Sequence, residues 1–218
     1  YDILSGTSMA CPNLAGSAVL VRAALKEQYP DLTARELSTY VNRLLMSTTS
    51  ILRNEAGNPY SPRKQGAGLA DAERAIKTPA YLMVEGSDKT KLSLGDDPAR
   101  TGVYTLTFHL VNRSGSALSY RLSVLTMTEA VSTDGKTVAE QAYMLSPSVS
   151  YTVENGTLRG NMVTVSGYGD ATITATVTLS ESDRAYLTGN FKNGMYVEGF
   201  VQLDCADGDI DLTIPYLA

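Results

Sequence analysis

The run Ser5-Gly6-Thr7-Ser8-Met9-Ala10-Cys11-Pro12 places hydroxyl and small side chains in front of an apolar helical stretch. A serine hydroxyl becomes a nucleophile only when a neighbouring base takes its proton, and a tight glycine-containing turn can hold such a hydroxyl at a helix start. There, unpaired N–H groups and the positive end of the helix dipole stabilise developing negative charge. Ser8 is the candidate nucleophile, with Gly6, Thr7, Met9 and Pro12 supporting the turn. Pro12 is expected in the first helical turn, where an N–H has no intrahelical use. The bland alternative is an ordinary helix start.

A nucleophilic serine needs a general base, and His109 is the single histidine in the chain. It alternates with Thr105 and Thr107 opposite Tyr104, Leu106, Phe108 and Leu110, so it is expected on the outer face of a strand, away from Ser8. Asp207, Asp209 and Asp211 alternate near Asp204; they read as an acidic hairpin turn with Ile210 and Leu212 facing in, or as carboxylates gathered about a hard cation such as calcium. Asn112-Arg113-Ser114 and Asn155-Gly156-Thr157 match the glycosylation pattern and also read as turns. The two cysteines show no zinc spacing, and no disulfide between Cys11 and Cys205 is expected. Cys11 reads as a small buried residue and Cys205 as a plain strand residue.

Several elements must position these residues. From Met9 to Tyr29 the apolar positions cover more than one helical face, which calls for burial on most sides; Pro30 ends the stretch. Thr33 and Glu36 form a capping-box pattern for a second helix, with Leu37, Val41, Leu44 and Leu45 as its stripe. Residues 47–68 read as a long surface connection and 69–76 as a short helix. From Tyr81 onwards β-branched and aromatic residues alternate with polar ones between the turn signals Asp134-Gly135, Asn155-Gly156 and Asn193-Gly194, which predicts an all-β sandwich of two antiparallel sheets.

At 218 residues the chain has room for one or two domains. A net charge of −5 without long runs of one sign argues against a nucleic-acid or membrane-surface partner. No run of about twenty uninterrupted apolar residues is present, so no membrane span is expected. Tyr1 opens the chain without a leader pattern, which suggests an internal piece whose targeting signals lie elsewhere.

The run Gly6-Thr7-Ser8-Met9-Ala10, with Pro12 two residues on, resembles the nucleophile motif of the subtilisin-like serine proteases. Ser61-Pro62-Arg63-Lys64-Gln65-Gly66-Ala67-Gly68-Leu69-Ala70-Asp71-Ala72 resembles the segment closing the protease domain in the lactocepin-like cell-envelope branch. The closing stretches Tyr196 to Val201 and Ile214 to Leu217 resemble the end of the fibronectin type III-like domain that follows it. The resemblance implies an α+β fragment: residues 1–79 as the helical C-terminal part of a subtilisin-like α/β domain, and residues 80–218 as a fibronectin type III-like β-sandwich. It implies a chain order of Asp, His, oxyanion-hole Asn and then Ser, so Ser8 depends on the upstream part of the same protease domain.

The implied activity is hydrolysis of peptide bonds in protein or peptide substrates through an acyl-enzyme on Ser8, by a secreted protein at the cell surface or cell wall. The isolated chain is expected to be inactive and to need no cofactor, with calcium an expectation for the longer protein only. The contrasting possibility is a surface adhesion protein with a degenerate protease domain and a working β-sandwich. Intact upstream Asp, His and Asn motifs would separate the two.

Overall fold

The computed structural model describes residues 6–132, 135, 137–208 and 210–218. Helices come first: α1 (Thr7–Gln28), α2 (Ala34–Ser47), the single turn α3 (Pro62–Gln65) and α4 (Ala72–Lys77). The capping box of α2 forms as its sequence requires, with the Glu36 N–H donating to the Thr33 hydroxyl and the Thr33 N–H donating to the Glu36 carboxylate at 2.9 Å. The Thr33 hydroxyl also donates to the Glu36 carboxylate at 2.7 Å, and this bond first, then that from the Thr33 N–H, holds the exposed carboxyl below its ordinary value.

Strands follow. Among the described residues, one sheet has the order β1 (Ala80–Met83), β3 (Val103–Asn112), β9 (Asp170–Thr178), β6 (Ser148–Glu154). The other has the order β2 (Leu92–Ser93), β11 (Leu212–Leu217), β10 (Glu198–Cys205), β4 (Leu118–Val131), β8 (Met162–Val165), β7 (Thr157–Arg159), with β5 (Val138–Met144) also on β4. Their pairings are antiparallel except for β2 on β11. The sandwich core follows from strand alternation: Leu106, Phe108 and Leu110 lie opposite Ala175, Ile173 and Ala171, in one core with Tyr120, Leu122, Val201 and Ile214. Gly199 is required by a close approach, since a Cβ there would stand 1.8 Å from the Leu125 carbonyl oxygen.

A second, smaller core joins the helices: Val21 and Leu25 of α1 pack with Leu37, Val41, Leu44 and Leu45 of α2 and Ala75 of α4, and Tyr81 of β1 lies against it. The helical layer is thereby seated on the sandwich. Residues 47–49 are buried, contrary to a purely surface connection. Their hydroxyls explain why: the Leu82 N–H donates to Ser47 Oγ at 2.9 Å, and Thr49 Oγ1 donates to the Ala67 carbonyl at 2.7 Å. Gly68, with φ of +129° and a notional Cβ 2.5 Å from the Ser50 carbonyl oxygen, closes this loop where other side chains would clash.

One further helix, α5 (Glu181–Asn190), interrupts the strands. Ser180 and Asp183 form its capping box, and the Ser146 N–H also donates to the Asp183 carboxylate, fastening α5 beside the β5–β6 connection. Tyr186 stacks on Tyr143 of β5 with ring centroids 3.6 Å apart.

Candidate active site

Gly6 precedes α1 with φ of +149°, a conformation that favours glycine, and provides no side-chain cap. Its carbonyl accepts the N–H groups of Met9 and Ala10, both at 3.1 Å. Ser8 is exposed in the first turn, with its backbone N–H among the groups that an α-helix leaves without an internal partner. A hydroxyl and free N–H groups at the positive end of a 22-residue helix form an arrangement suited to attack on a carbonyl and stabilisation of the resulting oxyanion.

Pro12 lies in the second turn, not the first. Without an N–H it cannot donate to the Ser8 carbonyl four residues back, so the helix relinquishes that bond next to the candidate nucleophile. The Asn13 side chain donates to the neighbouring Met9 carbonyl at 3.2 Å. Cys11 is exposed rather than buried, because the first half of α1 has no packing partner among the described residues. Met9 and Leu14 are exposed with it, and Val19 and Leu20 are 64% and 62% exposed. By length and mean hydropathy α1 is also apolar enough to cross a membrane, a criterion met despite its polar interruptions; its last turns carry Arg22, Lys26 and Glu27.

His109 stands on the outer face of β3, with its side chain 19% exposed. Its Nδ1 lies 2.9 Å from Asp170 Oδ1 and its Nε2 3.6 Å from Glu85 Oε2; it makes no hydrogen bond to Ser8. The acidic turn is also built for structure: Asp211 Oδ1 accepts the Cys205 N–H at 2.8 Å, and Asp209 falls outside the described residues, as do Ser5 and Asp134. Among the described residues no group of three potential metal ligands is present, and the candidate trio includes Asp209, which lies outside them. Cys205 ends β10 as a free thiol. Asn112 is buried, with Nδ2 donating to the carbonyls of Ser116 and Ser166, which leaves no amide free for a glycan.

Four arginines hold the helical layer against the sandwich. Arg63 donates from Nε and Nη2 to the two oxygens of Glu198, each at 3.0 Å, and from Nη2 to Glu129 at 2.9 Å, while its guanidinium lies 4.2 Å from the centre of the Tyr196 ring. These bonds, first that to Glu198, raise the Arg63 pKa further. Arg74 reaches the carbonyls of Thr48 and Asp211, Arg113 those of Thr78 and the Gln28 side chain, and Arg43 that of Ser87. Glu198, only 1% exposed, went unnoticed in the sequence; a single carboxylate inside the apolar run from Val197 to Val201 was its signal.

The Subtilase family matches residues 1–68, and the Fn3-like domain matches residues 92–217. This chain belongs to the Fn3-like domain family, and its first 68 residues are similar to the Subtilase family. A C5a peptidase of Streptococcus pyogenes is 31% identical over 219 residues, covering all of this chain and 17% of that protein. The PII-type proteinase of Lactococcus lactis subsp. cremoris is 29% identical over 230 residues, covering all of this chain and 11% of that protein. The chain therefore spans about a sixth or less of the length of these relatives. The subtilase match includes Ser8 and the α1 helix start, while the Arg63 clamp ties its last residues to the Fn3-like domain.

Proposed function

We propose that this chain is the nucleophile-bearing end of a serine endopeptidase together with an Fn3-like domain that buttresses it. Ser8, in the first turn of α1 after the positive-φ Gly6 and within a subtilase match, is the observation that supports this reading most directly. Ser8 Oγ attacks the substrate carbonyl, its proton passes to a histidine outside these 218 residues, and the Ser8 N–H stabilises the oxyanion. The intermediate collapses with cleavage of the peptide C–N bond, the histidine returning the proton to the leaving amine, and water then hydrolyses the acyl-enzyme to the acid and free Ser8. Protein or peptide is the substrate, and the rest of the same protease domain is the partner of the exposed α1 face. A secreted, cell-surface location belongs to the same reading.

In this reading His109, whose ring contacts Asp170 and Glu85 on the outer face of β3, is not the base, and the chain alone is expected to be inert. Treating the longer protein with a fluorophosphonate and mapping the modified peptide tests this. Modification at Ser8, absent from the isolated chain, is expected. A casein-hydrolysing protein modified at another serine would overturn it.

A further inference from the structure

A cavity of about 550 Å³ opens at the end of the sandwich beside α5, within the size range of small-ligand sites. Arg100 reaches it from the loop before β3, and Arg184 and Lys192 from α5 and the turn that follows it; none of the three makes an ion pair or side-chain hydrogen bond among the described residues. This contrasts with Arg43, Arg63, Arg74 and Arg113, which are all bonded. Two carboxylates share the wall. The Asp97 carboxylate is committed to its own loop, accepting the N–H groups of Thr101 and Gly102 and the Thr101 hydroxyl, while its backbone carbonyl accepts the Arg100 N–H; Asp96 is the second carboxylate on the wall.

Local backbone geometry shapes the cavity around Arg100 and Arg184. Arg100 has φ of +51°, an uncommon conformation for a residue with a Cβ, sustained by the Asp97 bonds. Gly102, with φ of +64°, leaves room for Arg184, whose Nε would stand 3.0 Å from a Cβ there. Behind the charges, Leu179, Leu187 and Val197 are buried wall residues.

We propose that this cavity binds an acidic peptide segment, with its carboxylates on Arg100, Arg184 and Lys192 and one apolar side chain against Leu179, Leu187 and Val197. Three cations without partners on an apolar wall suit a ligand carrying both negative charge and apolar area, and paired guanidinium–carboxylate bonds are the strong ones. The site lies in the Fn3-like domain and does not depend on Ser8 being a nucleophile.

The test is an NMR titration of the full 218-residue chain with a capped pentapeptide of four glutamates around a central leucine, beside its lysine counterpart and inorganic phosphate. Saturable shifts centred on Arg100, Arg184 and Lys192 are expected, weakening with salt and falling about tenfold in affinity in Arg184→Gln or Lys192→Gln proteins whose spectra remain folded. No saturable shift, equal binding of the lysine peptide, or unchanged affinity in both folded variants would overturn the proposal. Phosphate binding as tightly as the peptide would also overturn it, by showing a plain anion site.

Discussion

The Arg63 guanidinium grips both carboxylate oxygens of Glu198, a residue 135 positions away and almost entirely buried, and so fixes the last turn of the subtilase match to β10 of the Fn3-like domain. An ion pair of this kind is costly to break from one side, because the remaining carboxylate keeps its desolvation without its partner.

Arg63→Met should therefore destabilise the chain by about 3 kcal/mol, whereas Arg63→Met combined with Glu198→Met should recover much of that loss. Urea unfolding of the single and double variants measures the coupling. Strict additivity of the two changes would show that the clamp contributes nothing specific.

Order along α1 should divide within the helix. Val21 and Leu25 are anchored on α2 and α4, while residues 7–20 include no buried side chain. Hydrogen exchange should show amides before Leu20 exchanging much faster than those around Leu25, and Leu25→Ala should cost about 3 kcal/mol. Uniform protection of all of α1 in a monomeric chain would contradict this.

The sequence placed the sandwich well because alternation of Leu106, Phe108 and Leu110 against Thr105 and Thr107 is a local signal with one physical reading. The α2 capping box was equally local. α5 was missed although Ser180-Glu181-Ser182-Asp183 spells a helix start, since the surrounding alternation suggested strands throughout. The Arg63 clamp was illegible because the partner of a side chain 135 residues away depends on tertiary packing, not spacing. Ser8 was legible as a motif, while the exposure of Cys11 and the second-turn position of Pro12 depended on where α1 begins and what covers it.

Alkaline pH should unfold the chain early. Burial pushes the Tyr216 and Tyr40 phenols up from the ordinary 10.0, outweighing the Tyr216 bond to Thr126 and the Arg113 charge beside Tyr40. Such a phenol stays protonated in the fold when its unfolded counterpart ionises, so its stabilising contribution is full below pH 10 and declines as pH rises above it. Parallel circular dichroism and phenolate absorbance should show stability falling above pH 10. A stability independent of pH from 9 to 12 would contradict the burial of these hydroxyls.

His109→Gln should leave peptide hydrolysis by the longer protein unchanged and alter stability by about 1 kcal/mol or less, since only the partly exposed contacts to Asp170 and Glu85 are lost. Loss of hydrolysis by a protein still folded would place His109 in the catalytic machinery and refute its assignment to the outer face of β3.

The most direct test of Ser8 as nucleophile is the rate of casein hydrolysis by the longer protein with and without Ser8→Ala. A fall on the order of a millionfold is expected, the magnitude established for subtilisin itself and carried over from it. A folded Ser8→Ala protein hydrolysing casein within about tenfold of the unaltered one would contradict the nucleophile assignment, because the remaining helix N–H groups provide no covalent route.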